Sequence, residues 1–280
     1  MNKKLKQRII VLIGLILTGV GFGNNQAITD FLTLPIKESI QKVTTPSEKK
    51  KVQSNEQTPT TTSESYDANQ YKELAALDFK SGDSAVFTVN NGRSTLDISQ
   101  WEENKVIYGD LDPLNRTTFV TAYLDRKNLG RSEGRERQVW KPTGWHQKKV
   151  DGELIVNRGH LLAYTSSFNF DSDGNFREGE SGSQDNPKNL ATQTAFSNQN
   201  VQTIYEKKVR DAQKTTGNKV IYQIVTVFRG NELMPRGYWL QAIDSNGILN
   251  FNVYVYNVQP KVVFNYEDGT STIDRSLTIR

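Results

Sequence analysis

The strongest constraint on the fold is the stretch over residues 154–206, where a short apolar run, a histidine, a polar loop and a helical repeat follow one another. Leu154, Ile155 and Val156 bring the chain to Asn157-Arg158-Gly159-His160, and Leu161-Leu162 carry it away. The imidazole is therefore flanked by two segments that seek the interior. Asn186-Pro187-Lys188-Asn189 closes the loop, and a helical pattern starts near Thr194 with an apolar stripe of Val201, Tyr205, Val209 and Ala212. At about 100° per residue, Asn198, Gln202 and Glu206 fall within about 80° of one another beside that stripe. His160 is one of two histidines in the chain. Its side-chain type titrates nearest neutral pH, which suits it to take a proton from water.

The flanking sequence supplies strands rather than further helices. Residues 85–89 and 95–98 flank Asn90-Asn91-Gly92, and residues 238–243 and 248–256 flank Asp244-Ser245-Asn246-Gly247. Asn-Gly accepts the positive φ angles of a tight turn, so both stretches predict hairpins. Residues 118–124 and 219–228 predict further strands, residues 262–266 an edge strand, and Thr216-Gly217-Asn218 an end to the helix. These elements predict an α+β domain over residues 71–280, with a central, mainly antiparallel sheet. Asp171, Asp173 and Asn175 match the first ligand positions of a calcium loop. Phe176 and Gly182 stand where such a loop needs Gly and Glu, so a solvated turn is expected there.

Upstream, Lys3, Lys4, Lys6 and Arg8 precede an apolar run over residues 9–22, so residues 1–25 read as a signal peptide or an N-terminal membrane anchor. Residues 26–70 are rich in Thr, Ser and Lys and are expected to form a disordered spacer, because they hold too little apolar surface to offset the entropy of ordering. The chain is thus expected to be secreted or anchored at the cell surface, with membrane contact through the N-terminal segment alone. Cysteine is absent, which excludes disulfides and thiolate zinc sites; with two histidines, a multi-histidine metal site is disfavoured as well. Any metal would be hard and oxygen-bound.

The formal net charge of +4 owes its sign to the tail, since residues 1–51 carry nine Lys/Arg against three Asp/Glu. A local cluster says more. Residues 126–158 hold nine basic side chains against four acidic ones, just upstream of His160, where a phosphate backbone would have to lie. A solvated basic loop is the alternative.

The Arg158-Gly159-His160 strand followed by Asn186, Asn189, Gln193, Asn198 and Glu206 resembles the signature of the DNA/RNA non-specific endonucleases of the ββα-metal (His-Me finger) class. Among these it is similar to the secreted nucleases of the streptodornase and DNA-entry type, which share Leu129-Gly130-Arg131 and the run Lys141-Pro142-Thr143-Gly144-Trp145-His146. The resemblance covers roughly residues 75–280, and Asn157 stands where the family usually has Asp. The resemblance implies a ββα site on one side of the sheet, with His160 as general base. Asn198 would hold one Mg²⁺, with Mn²⁺ able to substitute, and Glu206 would orient the ion's waters. Arg131 would clamp the phosphate, with Arg126, Arg135 and Arg137 as rivals. Asn189 is expected as a hydrogen-bonding partner or substrate contact, Asn157 and Arg158 as supports of the His160 turn, and Arg210 as the i,i+4 partner of Glu206. Gln193 and Gln202 rank below these, and His146 is expected to be structural rather than catalytic.

The function implied is hydrolysis of DNA, with RNA as an open second substrate, to products carrying 5′ phosphates. No protein partner is implied. Two alternatives stand beside it: a surface module that binds nucleic acid or adheres without turnover, and a metal-free phosphodiesterase.

Overall fold

Strand β8 (Val220–Val227, VIYQIVTV) carries β-branched and aromatic side chains at most positions and is buried at all eight. It forms the middle of a six-stranded sheet in the computed structural model, which describes residues 66–280. The other members are β1 (Val86–Thr88), β2 (Lys105–Tyr108), β3 (Phe119–Leu124), β9 (Gly237–Asp244) and β10 (Asn250–Tyr256), in the order β1-β10-β9-β8-β3-β2. Every neighbouring pair is antiparallel.

The described residues begin before the expected boundary at 71, and those over 66–70 already pack with the domain. Helix α1 (Ala68–Ala75) is capped by the Asp67 carboxylate, which accepts from Asn69 N at 2.8 Å and Gln70 N at 3.0 Å. Tyr66 lies against Tyr71, Phe119 and Trp239. The expected signal or anchor over residues 1–25, and nearly all of the spacer, lie outside the described residues. Among the described residues no helix is long and apolar enough to cross a membrane.

The second Asn-Gly turn joins β9 to β10 as expected, with Gly247 at φ +70° and the Asp244 carboxylate accepting from Ile248 N and Leu249 N at 2.9 Å. The first does not make a hairpin. Asn90, Asn91 and Gly92 all take positive φ, but β1 pairs with β10 and the returning segment forms no strand. Its backbone donors find side chains instead: Ser94 N donates to Asn250 Oδ1 (2.8 Å) and Thr95 N to Gln241 Oε1 (3.0 Å). Gln241 Nε2 then donates to Gln223 Oε1 and Gln223 Nε2 to Thr121 Oγ1, a polar row across three strands that serves the backbone where a ladder was expected. Residues 262–266 also differ: β11 (Val262–Phe264) pairs with β12 (Ser271–Ile273) in a separate hairpin, not at the edge of the main sheet.

Two smaller hairpins complete the strands, β4 (Lys149–Val150) with β5 (Glu153–Leu154), and β6 (Val156–His160) with β7 (Leu190–Thr194). The β6–β7 pair is fixed to the main sheet by side chains. Tyr238 Oη and Asn257 Nδ2 donate to Thr192 O at 2.9 and 3.0 Å, and Thr194 N donates to Asn257 Oδ1 at 2.8 Å. Helix α2 (Thr203–Lys214) follows β7, and its Val209, with Val201 just before it, packs into the core formed by Val120, Leu124, Tyr222 and Leu240. The strand–strand–helix order of β6, β7 and α2 is the ββα unit expected from the sequence.

One local feature departs from the regular helix expected from Thr194. Thr194 ends a strand, and residues Ser197–Gln202 form a π-helical turn before α2 begins. The wider turn rotates Gln202 into the interior, where it is fully buried, while Asn198 and Glu206 keep partial access to solvent.

Candidate active site

His160 is the last residue of β6 and sits opposite Leu190 of β7. The strand needs glycine before it: a Cβ on Gly159 would lie 2.1 Å from Gln193 Oε1. Asn189 locks the chain just after the histidine. Its Oδ1 accepts from Leu162 N (2.8 Å), its Nδ2 donates to Leu162 O (3.0 Å) and Ser183 Oγ (3.3 Å), and its carbonyl accepts from Leu161 N (2.9 Å). The residue is fully buried, so it stands as a hydrogen-bonding support rather than as a group facing a substrate.

The His160 ring is held by Gln184, whose carbonyl oxygen lies 3.0 Å from Nε2. A carbonyl can only accept, so Nε2 carries the proton and Nδ1 keeps its lone pair. Burial pushes the imidazole down to about 4, with Arg135 adding to the shift and the Gln184 carbonyl opposing it. At neutral pH the ring is therefore an uncharged base.

His160 opens on a cavity of about 680 Å³ that is also lined by Gly130, Arg131, Arg135, Tyr164, Asn198, Glu206 and Arg210. The cavity brings together five of the residues singled out in the sequence, from three separate parts of the chain: Arg131, His160, Asn198, Glu206 and Arg210. Glu206, with a side chain 12 % exposed, accepts from Gln202 Nε2 at 3.1 Å and faces Arg210 at 3.6 Å. Burial raises its pKa, against the Gln202 hydrogen bond and the Arg210 charge.

The remaining expected residues fall elsewhere. Arg158 is turned to the loop over residues 140–146, donating from Nε to Trp140 O (2.6 Å) and lying over the Trp145 ring (4.6 Å). It braces that loop rather than the cavity. Asn157 pairs with Gln193 in the β6–β7 register and does not line the cavity. Arg126 donates to Thr216 Oγ1 (3.2 Å), Arg137 does not line the cavity, and exposed His146 is outside it too. Asp171 accepts from the backbone nitrogens of Asp173 and Asn175 in an exposed turn, as expected.

The site also holds groups that the sequence did not single out. Arg135, named there only as a rival, lies over the Tyr164 ring at 4.4 Å, and its charge bears on both His160 and Glu206. Gln184 acts through its main chain, which no side-chain pattern reveals. Asp185 ties down the loop carrying Arg131 and Arg135 by accepting from Val139 N (2.9 Å) and Trp140 N (3.1 Å).

The oxygen donors of the cavity suit a hard cation better than a soft one. Asn198 and Glu206 offer oxygen donors there, and among the described residues no group of three or more His, Asp or Glu side chains forms a full protein cage. That donor set suits a hard ion that keeps most of its own waters.

Comparison with known proteins bears on the fold and the family. The model of the DNA/RNA non-specific endonuclease family matches residues 82–273. A deoxyribonuclease of Streptococcus dysgalactiae subsp. equisimilis is 23% identical over 195 residues, a match that spans 59% of this chain and 59% of that protein. The crystal structure of NucA from Streptococcus agalactiae with magnesium bound superposes with a TM-score of 0.61 at 28% identity, covering 74% of this chain and 95% of that one. The Sda1 nuclease with bound zinc shares the fold at a TM-score of 0.51 and 19% identity, over 66% of this chain and 95% of that one. With a ββα unit at its cavity and the family's pattern matched over residues 82–273, the chain belongs to the DNA/RNA non-specific endonuclease family.

Proposed function

We propose that the protein is an exported, Mg²⁺-dependent endonuclease that cuts DNA with little sequence preference, leaving 5′ phosphates. The observation that carries this reading is the opening of His160, Asn198 and Glu206 on one cavity walled by arginines. His160 Nδ1 takes the proton of the attacking water, and the Nε2–H bond to Gln184 O steadies the imidazolium that results. Arg135 and Arg131 meet the phosphate oxygens, and Arg135 is the better placed because it stands beside both His160 and Glu206. Asn198 would hold the cation through its amide oxygen, and Glu206 would orient the waters around it. A bound divalent ion supplies positive charge for the departing 3′ oxygen. Expulsion of that oxygen leaves a 3′ hydroxyl on the upstream fragment and the phosphate on the 5′ carbon of the downstream one.

The magnesium in NucA supports the choice of ion, with Mn²⁺ as a substitute. Export rests on the basic and apolar N-terminal segment, which also carries any membrane contact as a cleaved signal or a retained anchor. Residues 1–25 would then be signal or anchor, the residues after them spacer, and the nuclease domain would take in Tyr66 and helix α1 as well as residues 71–280. Contacts to phosphate dominate in a cavity of this charge, so binding weakens as salt rises.

Plasmid digestion with and without EDTA tests the proposal. His160→Ala is expected to lose about 10²- to 10⁴-fold in rate, as for the removal of a general base, and Asn198→Ala to lose cutting at Mg²⁺ levels that saturate the wild type. Retained cutting by His160→Ala rules out the base, and EDTA-insensitive cutting rules out the metal. A protein that binds DNA without cutting it is the non-catalytic module.

A further inference from the structure

We infer that Gln202 is a positioning residue that sets the distance between the general base and the carboxylate of the cation site. The inference rests on the endonuclease reading above. Gln202 is fully buried and does not line the cavity, so it cannot touch a substrate. Its amide nevertheless joins both halves of the site. Nε2 donates to the carbonyl of His160 at 2.8 Å and to Glu206 Oε1 at 3.1 Å, while Oε1 accepts from Gln193 Nε2 at 2.9 Å.

These contacts leave no freedom in the amide. Both hydrogens of Nε2 are used, and turning the group over would set Oε1 against two acceptors, the His160 carbonyl and the Glu206 carboxylate. Gln193 is fixed in the same way, since its Nε2 donates to Ser197 Oγ (3.1 Å) as well as to Gln202. The arrangement leaves Gln193 Oε1 buried without a hydrogen-bond partner, pressed against the backbone of Gly159. The π-helical turn over Ser197–Gln202 is what directs Gln202 inward between His160 and Glu206.

A second buried glutamine, in helix α2, separates positioning from plain support. Gln213 is also fully buried; it accepts from Ser166 Oγ at 2.9 Å and donates to Asp125 O at 3.1 Å, outside the cavity lining. Methionine at either position keeps the length of the side chain and removes its hydrogen bonds.

The test is steady-state cutting of a defined DNA duplex in Mg²⁺ by the full chain and its Gln202→Met and Gln213→Met variants, with thermal unfolding of each. Both variants are expected to lose stability. Only Gln202→Met should lose kcat, by about 10- to 100-fold, as expected when catalytic groups are misplaced by a fraction of an ångström to an ångström. Its KM should stay within about twofold, because the groups that bind the phosphates are untouched. Wild-type kcat in Gln202→Met, or an equal loss in Gln213→Met, overturns the inference. Should Gln202→Met fail to fold, Gln193→Met removes the bond that fixes the Gln202 carbonyl and leaves both Gln202 donors in place. A smaller fall in kcat at constant KM is then expected, and an unchanged kcat overturns the inference. If the wild-type protein does not cut at all, the endonuclease reading falls and takes this inference with it; cutting with an indifferent Gln202 sinks this inference alone.

Discussion

Gly159→Ala probes the packing beneath the site most directly. The added methyl would stand 2.1 Å from Gln193 Oε1, 2.7 Å from its Cβ and 3.0 Å from its Cδ, where ordinary contact begins at 3.4 Å. Gln193 must therefore retreat by more than 1 Å, yet it is fully buried and held by Ser197 Oγ and Gln202 Oε1. Two neutral hydrogen bonds at about 1 kcal/mol each, with about 1–3 kcal/mol of overpacking strain, put the loss of stability at roughly 2–5 kcal/mol. Gly217→Ala is the matched control. That glycine takes φ +77° just past the end of α2 with open space around it, so its substitution costs about 1 kcal/mol of backbone strain and no clash. Urea unfolding of the two variants, followed by far-UV circular dichroism, measures both. The clash also reaches the chemistry, because Gln202 passes any shift of Gln193 on to His160 and Glu206. Gly159→Ala should thus cut DNA more slowly than Gly217→Ala by at least about tenfold. A loss of stability no larger than that of Gly217→Ala, with normal cutting, would refute the reasoning.

Burial holds His160 down to about 4 and raises Glu206, so as the pH falls the carboxylate takes up its proton first. The acid limb of kcat/KM should report Glu206, and in Glu206→Gln the residual activity should persist to about pH 4, as pH–rate profiles would show. The same depression gives a stability signature: the unfolded chain binds the His160 proton near 6.5 and the folded one near 4, so stability declines as pH falls through that window, by up to about 3 kcal/mol. Urea unfolding of wild type against His160→Gln at pH 7 and pH 4.5 checks it, and equal pH dependence in the two proteins would contradict it. Arg135→Ala should lower kcat/KM by about 10- to 100-fold, more than Arg131→Ala, measured on the same duplex under fixed salt. Asp185→Ala frees Val139 N and Trp140 N and loosens the arginine loop, so KM for DNA should rise several-fold with a smaller change in kcat.

The sequence by itself determined those parts whose causes are local. Ile155 and Val156 before His160 mark a buried approach, although Leu154 beside them is half exposed; the Val201–Val209 spacing marks the core-facing side of a helix, and Gly217 marks its end, because periodicity and turn chemistry act over a few residues. The second Asn-Gly hairpin was legible for the same reason. The first was not, because its returning arm found better acceptors in Gln241 and Asn250, which are about 150 residues away. Nor did the pattern reveal β2, a four-residue strand defined by its pairing with β3.

At the site, the resemblance to the endonuclease signature picked out His160, Asn198 and Glu206, but only the tertiary structure decided how other groups stand around them. Asn189 and Arg158 carry polar groups fit for a substrate, yet one is sealed beneath the surface and the other is turned to the tryptophan loop. Arg135 and Arg131 are alike as sequence; the ring of Tyr164 and the tether at Asp185 set apart where their charges act. The tautomer of His160 depends on the carbonyl of Gln184, and every residue has a carbonyl. Burial and hydrogen-bond direction arise when distant segments meet, and no local repeat in the chain encodes them.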